Sequence, residues 1–169
     1  MKESIEVITA AEVAPELRNG LREWFEREFG NADHWRTSDY YVLLHSDGQL
    51  AGRLGVLDTK VSVGGQIIRV GGIGGVATKP EFRHRGVASA MLARAAEFMK
   101  NDLGLEFGFL LCRHEVSAVY AKMGWIRVAG PTTFTRAGVT ATYSNDTMIL
   151  QLAKRVWPSG KIDMLGLPW

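Results

Sequence analysis

Apolar residues follow a strand-like and then a helical spacing at the start of the chain. Ile5, Val7 and Ile8 predict a first strand, and residues 11–29 predict a helix that Gly30 ends. Five large apolar side chains fall on one face of this helix: Leu17, Leu21, Trp24, Phe25 and Phe29. The chain is therefore expected to begin with a strand and an amphipathic helix.

Short apolar runs separated by glycine turns predict a group of strands between residues 41 and 70. The runs cover residues 41–44, 50–57, 59–63 and 66–70. Asp47-Gly48 and Gly64-Gly65 are typical of the tight turns that join antiparallel strands, so an antiparallel meander is expected. The polar and aromatic residues 31–40 before it form either one wall of a recognition site or a solvated loop with an anchoring tryptophan.

Residues 70–99 predict a strand, a turn and a helix, and the rest of the chain is organised around them. Val70, Ile73 and Val76 are interspersed with four glycines, at positions 71, 72, 74 and 75. Because glycine weakens a strand unless something approaches its backbone closely, a bound ligand is expected here. Pro80 sets a turn. The helix after it has an apolar face of six residues: Ala88, Met91, Leu92, Ala95, Phe98 and Met99.

The second half of the chain predicts four more elements. They are a buried strand at residues 107–112, a short helix at 114–123, the start of a strand at 125–128 and a last central strand at 147–152. The first of these is expected to run parallel to the glycine-containing strand. The tail at residues 157–169 is rich in proline and glycine, so it is expected to pack down without regular structure.

Length, charge and cysteine content limit the classes of function. Residues 1–169 have the usual size of a single domain. A net charge of +2 is too small to favour nucleic acid or a membrane as a partner. No apolar run is long enough to cross a bilayer, and Cys112 is the single cysteine, so a cytoplasmic location is expected. The four histidines lack metal-ligand spacing, and no metal site is expected.

The turn before the second helix has the chemistry of a phosphate site. A helix start presents unpaired N–H groups and a positive dipole end, Gly86 allows close approach, and Arg83 and Arg85 add charge. The spacing Arg83-x-x-Gly86-x-Ala88 resembles the pyrophosphate-binding motif of the GCN5-related N-acetyltransferases, the GNAT family. The alternative is a glycine-containing turn with two solvated arginines.

The resemblance implies a fold, an activity and a coenzyme. The fold would be α/β (α+β), with a mixed central sheet, an antiparallel N-terminal meander and a parallel pair of strands splayed around the acetyl-CoA site. The activity would be N-acetyl transfer from acetyl-CoA. The implied coenzyme-binding residues are Val76, Thr78, Arg83, Arg85, Gly86, Val87, Ala88 and Ser89.

Residues 117–125, SAVYAKMGW, are similar to a second signature of the same family, in which acetyl passes directly from thioester to amine. The resemblance implies that Tyr120 protonates the departing thiolate. With pKa values of about 10 for a phenol and 8.5 for a thiol, this transfer is uphill by only ~2 kcal/mol. The alternative is a tyrosine packed at a helix end. Cys112 is interpreted as a packed residue rather than a nucleophile.

The sequence from Trp125 to Thr132, an acidic turn at Asp146 and the final tryptophan resemble the aminoglycoside 2'-N-acetyltransferases. In those proteins the carboxylate of the terminal tryptophan reaches the substrate, and a glutamate on the coenzyme strand serves as the base. An ungapped alignment from Arg83 puts Gly74 at the glutamate's position, so the usual base is absent. The resemblance implies a catalytic role for Trp169, whose carboxylate would orient a water or hold an ammonium.

The implied partner is a small-molecule amine, an aminosugar antibiotic whose acetylation gives resistance. The candidate substrate-binding residues are Asp33, Trp35, Arg36, His114, Asp146 and Trp169. Because these mix acidic and basic groups, a kasugamycin-type substrate is preferred to a polycationic one. Residues 157–163 also resemble the nodulation acyltransferases, which act on a sugar amine. A catalytically silent acyl-CoA-binding protein is a further alternative, and the chain could form a homodimer.

Overall fold

The computed structural model describes residues 1–169, which form three α-helices and ten strands. The helices are α1 (Pro15–Phe29), α2 (Val87–Asn101) and α3 (Ser117–Ala121). The strands are β1 (Glu3–Thr9), β2 (Tyr40–Ser46), β3 (Gln49–Val63), β4 (Gln66–Thr78), β5 (Phe107–Cys112), β6 (Ile126–Arg127), β7 (Thr132–Arg136), β8 (Val139–Thr142), β9 (Asp146–Gln151) and β10 (Ile162–Asp163). No helix is both long and apolar enough to span a membrane.

All ten strands belong to one mixed sheet. Its order from one edge is β6-β9-β5-β4-β3, and β3 then pairs with β2 along its first half and with β10 at its end. Strand β1 lies beyond β2, whereas β7 and β8 lie beyond β10. Neighbouring strands are antiparallel except for β4 with β5 and β7 with β10. The mixed sheet and its N-terminal antiparallel meander are therefore confirmed.

The two faces of the sheet carry different elements. On one face, α2 packs Met91, Ala95 and Met99 against Leu54 and Ile73 in the larger core cluster. The other face carries α1 and the C-terminal tail. The tail contributes Ile162, Met164 and Trp169 to a second cluster that includes strand residues of β3, β4 and β5. Both faces of the central strands are buried in this way, which is why these strands are apolar on both sides.

Helix α1 begins at Pro15, four positions after the start that the pattern predicts. Thr9 and Glu12 form a capping box around the 3₁₀ turn Ala10–Glu12, and the next two residues are extended. Proline suits the first helical position and disfavours a helical conformation in the residue before it. The short turn and the helix are therefore separate elements.

Strands β3 and β4 are longer than the predicted runs. Residues 50–57 and 59–63 belong to one continuous strand, and residues 66–70 continue through the glycines as β4. Asp58 remains in β3 because its N–H donates to Asp39 Oδ2 at 2.9 Å and its carboxylate pairs with Arg69 of β4. The turns at Asp47-Gly48 and Gly64-Gly65 occur where predicted, with positive φ at each of these four residues.

The hairpin formed by β7 and β8 is absent from the sequence-based prediction. Strand β8 has only four residues, VTAT, and all are exposed, so its alternation is too short and faces no core. The tail is also not wholly irregular, because β10 inserts between β3 and β7. The predicted helix at 114–123 is a 3₁₀ turn, His114–Val116, followed by the short α3.

Candidate active site

The parallel strands β4 and β5 separate at their carboxyl ends. Their pairing runs from Gly71 with Gly108 to Ile73 with Leu110 and stops there. A β-bulge between β3 and β4 follows, with Gly75 at a φ of 59°. Bulges bend the strand that carries the extra residue, so the rest of β4 has no strand partner on its β5 side. This opening is the splayed parallel pair that the family resemblance implies.

The start of α2 lies just after β4 and has free hydrogen-bond donors. Gly86 is the N-cap, with a φ of 77°, and no side chain caps the helix. The first intrahelical bond runs from the N–H of Ala90 to the carbonyl of Gly86 at 2.9 Å. The N–H groups of Val87, Ala88 and Ser89 therefore have no acceptor in the chain. A Cβ built on Gly86 meets nothing within 4 Å, so an anion has room to approach.

Arg83 and Arg85 are both exposed and flank this turn. Arg83 Nε donates to the carbonyl of Thr78 at 3.2 Å, and its Nη2 lies 3.8 Å from Glu28 Oε1. Arg85 lies over the ring of Phe82, 5.8 Å from its centroid. Since the Thr78 carbonyl is engaged by Arg83, the unpaired edge of β4 near Val76 offers the freer backbone groups.

Trp169 occupies the tail face of β4, directly against its glycines. The residue is only 5 % exposed, its Nε1 donates to the Phe109 carbonyl at 3.5 Å, and the two rings lie 5.3 Å apart. A Cβ at Gly72 would collide with the Trp169 ring, and one at Gly71 would collide with Met99 of α2. The expectation that these two glycines admit a ligand is wrong, because the chain's own side chains fill the space.

Gly74 faces the carboxyl group of Trp169 rather than its ring. A Cβ on Gly74 would lie 2.9 Å from the carboxyl carbon, which is too close for any side chain to be added without displacing the tail. Gly74 is also the first residue of β4 beyond the parallel pairing with β5. The Trp169 carboxyl group therefore lies at the opening between the two strands.

Arg36, a predicted substrate-binding residue, holds the tail in place. Its backbone N–H donates to the Pro168 carbonyl at 2.7 Å, and its Nη2 donates to the Met164 carbonyl at 3.0 Å. The guanidinium lies over the Trp169 ring, 5.2 Å from the centroid, and Nη1 donates to Thr59 Oγ1 at 2.6 Å. Burial lowers the pKa of Arg36 from its ordinary value. These contacts position Trp169.

Three weak acids, Cys112, Tyr120 and Tyr143, lie near one another at the carboxyl end of β5, where Cys112 affects the pKa of both tyrosines. The pKa of Tyr120 is raised to about 12, chiefly by burial and further by the charges of Cys112 and Tyr143. Burial likewise raises the pKa of Tyr143 to about 12 and that of Cys112 to about 11. A thiol with such a pKa is protonated at neutral pH and is not a nucleophile. The hydroxyl of Tyr120 makes no hydrogen bond within the chain, so its proton is available to a ligand.

His114 and Asp146 lie together, next to Cys112, which pairs in register with Asp146. His114 Nδ1 is 2.8 Å from Asp146 Oδ2, and Arg127 Nη1 is 3.7 Å from the same oxygen. Burial favours a higher pKa for Asp146, but the hydrogen bond and charge of His114, and the charge of Arg127, hold this pKa below its ordinary value. The carboxylate is therefore ionised and paired. No group of three or more metal-ligating side chains is present.

Asp33, Trp35 and Arg36 line a cavity of about 740 Å³ between α1, the segment after it and strands β2 and β3. Asp33 pairs with Arg22 at 3.1 Å, and Trp35 packs edge-on against Phe25 with a centroid separation of 6.2 Å. The predicted substrate-binding residues thus fall into two groups. The first group, Asp33, Trp35 and Arg36, borders this cavity, with Trp169 packed behind Arg36. The second group is the His114–Asp146 pair.

Sequence reasoning missed Arg53, which also lines the cavity and is only 3 % exposed. Its Nη1 donates to the Leu21 carbonyl at 2.9 Å, and its guanidinium lies over the rings of Phe25 and Tyr41. A single charged residue within the apolar run at 50–57 was the available signal, since arginine is almost never fully buried without a partner.

Comparisons with known proteins identify the family. The model of the acetyltransferase (GNAT) domain matches residues 8–128, more than half of the chain. An aminoglycoside 2'-N-acetyltransferase from Mycolicibacterium fortuitum is 24% identical over 147 residues, covering 83% of this chain and 74% of that protein.

Two solved structures from Escherichia coli show the same fold. ElaA superposes with a TM-score of 0.66 at 13% identity, over 89% of this chain and 100% of that one. The GNAT family N-acetyltransferase YhbS, solved in complex with CoA, gives a TM-score of 0.67 at 18% identity, over 97% of this chain and 90% of that one. Together with the family match, these similarities show that the chain belongs to the GNAT family and is an acetyl-CoA-dependent N-acetyltransferase.

Proposed function

We propose that the protein acetylates an amine of an aminoglycoside antibiotic, with the 2'-amine of a kasugamycin-type aminosugar as the preferred acceptor. The observation that carries the proposal is the position of the Trp169 carboxyl carbon, 2.9 Å from the point where a side chain at position 74 would begin. In the aminoglycoside 2'-N-acetyltransferases that this chain resembles, a glutamate base occupies that position. The 24% identical relative supports the same substrate class.

The proposed coenzyme site combines the start of α2 with the free edge of β4. The three unpaired N–H groups of Val87, Ala88 and Ser89 would bind the pyrophosphate, where the helix dipole favours negative charge. Arg83 and Arg85 would add positive charge beside it. The pantetheine arm would follow the unpaired edge of β4 and bring the thioester to the opening between β4 and β5.

In the proposed transfer, the amine nitrogen attacks the thioester carbonyl carbon, so that a C–N bond forms and the C–S bond breaks. The sulfur leaves as a thiolate and takes the hydroxyl proton of Tyr120, which solvent later restores. The acceptor nitrogen loses two protons in all: the ammonium proton leaves before the attack, through a water that the Trp169 carboxylate orients, and the second leaves to solvent by the same water as the amide forms. The carboxylate also attracts the acceptor while it is still charged, because an alkylamine with a pKa of about 10.4 is almost entirely protonated at pH 7.

Replacing Gly86 by glutamate is expected to weaken acetyl-CoA binding at least about tenfold, because it adds negative charge and bulk where the pyrophosphate approaches. Calorimetric titration of the variant with acetyl-CoA measures this. Gly138→Glu is the matched control, since Gly138 has a φ of 76° and the same open surroundings but lies in the distant β7–β8 turn. Equal affinities of the two variants would place the pyrophosphate elsewhere.

The pH profile of turnover should show no falling limb that arises from Tyr120 below about pH 11. A general acid is active while protonated, and a raised pKa of about 12 keeps Tyr120 protonated beyond the range where an ordinary phenol, with a pKa of about 10, would ionise. Turnover measured from pH 7 to pH 10.5 should therefore rise or level off as the amine deprotonates. A Tyr120-dependent decline near pH 9 to 10, absent from Tyr120→Phe, would contradict the raised pKa of Tyr120.

A thiol-release assay with acetyl-CoA and a panel of aminoglycosides tests the substrate. The panel includes kasugamycin and neamine, and mass spectrometry of the product checks that one acetyl group is added for each thiol released. Faster acetylation of kasugamycin than of neamine is expected. Coenzyme binding without transfer to any amine of the panel would reject the proposed function and favour a silent acyl-CoA-binding protein.

A further inference from the structure

The cavity beside α1 has an excess of positive charge, and one of its charged residues, Arg53, is buried. Its lining includes four arginines but one acidic residue, Asp33. The four are Arg18, Arg22, Arg36 and Arg53. Asp33 is exposed and already paired with Arg22. A polycationic acceptor would meet net repulsion from such a wall, whereas an anionic group would be attracted to it.

Arg53 is the group in this cavity whose charge is least compensated. It forms no ion pair, and burial lowers its pKa from the ordinary value. Nη1 has one carbonyl acceptor, Nε has no hydrogen-bond partner, and the remaining contacts are the faces of two aromatic rings about 5.4 Å and 5.3 Å away. Burying an arginine in this way is costly unless an anion completes its surroundings.

The guanidinium of Arg53 lies beside the proposed transfer site. A Cβ on Gly75 would be 2.7 Å from Arg53 Nη2, while a Cβ on its neighbour Gly74 would be 2.9 Å from the Trp169 carboxyl carbon. Consecutive side chains of a strand normally point to opposite faces, but the bulge at this point allows both glycines to face α1 and the tail. A cationic group and a carboxyl group therefore border adjacent positions of β4.

We propose that this cavity binds a carboxylate carried by the acceptor, so that the acceptor is a compact zwitterion: its acidic group pairs with Arg53, and its amine lies at the Trp169 carboxyl group. The inference rests on the proposed function, because it names the class of acceptor for the same site. A planar guanidinium and a carboxylate form paired hydrogen bonds, and the buried Nε of Arg53 has no partner within the chain. Phe25, Trp35 and Tyr41 would enclose the acceptor's apolar part.

Binding of malonate tests the inference without knowledge of the acceptor. Thermal unfolding of the full chain is followed with malonate, with its neutral diamide, and with sodium chloride at matched ionic strength. Malonate should stabilise the wild type, and neither reference should. Arg53→Met should weaken this binding at least tenfold, whereas Arg69→Gln, which removes an exposed arginine paired with Asp58, should leave it unchanged.

The wild type supplies a second readout if Arg53→Met does not fold. The NMR signal of the Arg53 Nε–H, assigned through Arg53→Lys, should shift on titration with malonate and not with the diamide. Malonate binding to Arg53→Met as tight as to the wild type, or no binding beyond the chloride reference, would overturn the inference. If malonate binds through Arg53 but no aminoglycoside is acetylated, the proposed antibiotic substrate is rejected, whereas the carboxylate-binding site at Arg53 is supported.

Discussion

Replacing Tyr120 by phenylalanine is expected to lower the turnover number of acetyl transfer about a hundredfold or more, because the thiolate then leaves without a proton. Steady-state kinetics at saturating acetyl-CoA measures the effect. Because the pKa of Tyr120 is raised to about 12, donating its proton costs more free energy than donating the proton of an ordinary phenol. Tyr120 is therefore expected to donate only when the C–S bond is already breaking. Affinity for acetyl-CoA should change little, since the proposed pyrophosphate site lies at the start of α2.

Tyr143→Phe is the matched control for this variant. Tyr143 influences Tyr120 electrostatically, and its pKa is also raised to about 12, but it lies outside the family motif. Its loss should lower turnover much less than the loss of Tyr120. Equal turnover of wild type and Tyr120→Phe across the whole pH range would remove Tyr120 from the mechanism.

Appending three alanines after Trp169 should abolish most amine acetylation while the chain still folds and binds acetyl-CoA. The extension keeps the buried ring but replaces the carboxylate with a neutral amide, at the position that borders Gly74. Gly74→Ala should act in the same direction, because its methyl group would displace the carboxyl group. Acetylation rate and calorimetric affinity for acetyl-CoA are measured on the same preparations.

The same three alanines added before Met1 are the control for the extension. The N-terminal residue is exposed, so this change should leave transfer unaffected. Full activity of the C-terminally extended protein would eliminate the carboxylate role and weaken the aminoglycoside assignment. Loss of acetyl-CoA binding in that protein would instead mean that the tail supports the coenzyme site.

The central elements of the fold could be predicted because local sequence determines them. The turns at Asp47-Gly48 and Gly64-Gly65 need the positive φ values that glycine permits, and β5 is a short, fully apolar run of six residues. The apolar face of α2 repeats at helical spacing, and all of its predicted residues except Ala88 are buried. Each of these signals lies within the element it predicts.

What could not be predicted depends on contacts between distant parts of the chain. Gly71 and Gly72 were predicted to leave space for a ligand. Met99 and Trp169 fill that space, and both residues are distant from these glycines in the sequence. Arg36 was expected to bind the substrate, yet two of its three hydrogen bonds hold the tail. Arg53 gave a signal in sequence, a charge in an apolar strand, but its lack of a counter-charge needed the tertiary structure.

A crystal structure of the protein with acetyl-CoA is the decisive test of the proposed mechanism, because it locates both ends of the coenzyme at once. Pyrophosphate oxygens are expected on the N–H groups of Val87, Ala88 and Ser89, and the thioester sulfur is expected within about 3.5 Å of the Tyr120 hydroxyl. The carbonyl carbon should face the Trp169 carboxyl group across the opening between β4 and β5. A pyrophosphate bound away from the start of α2, or a sulfur remote from Tyr120, would rule out the proposed mechanism.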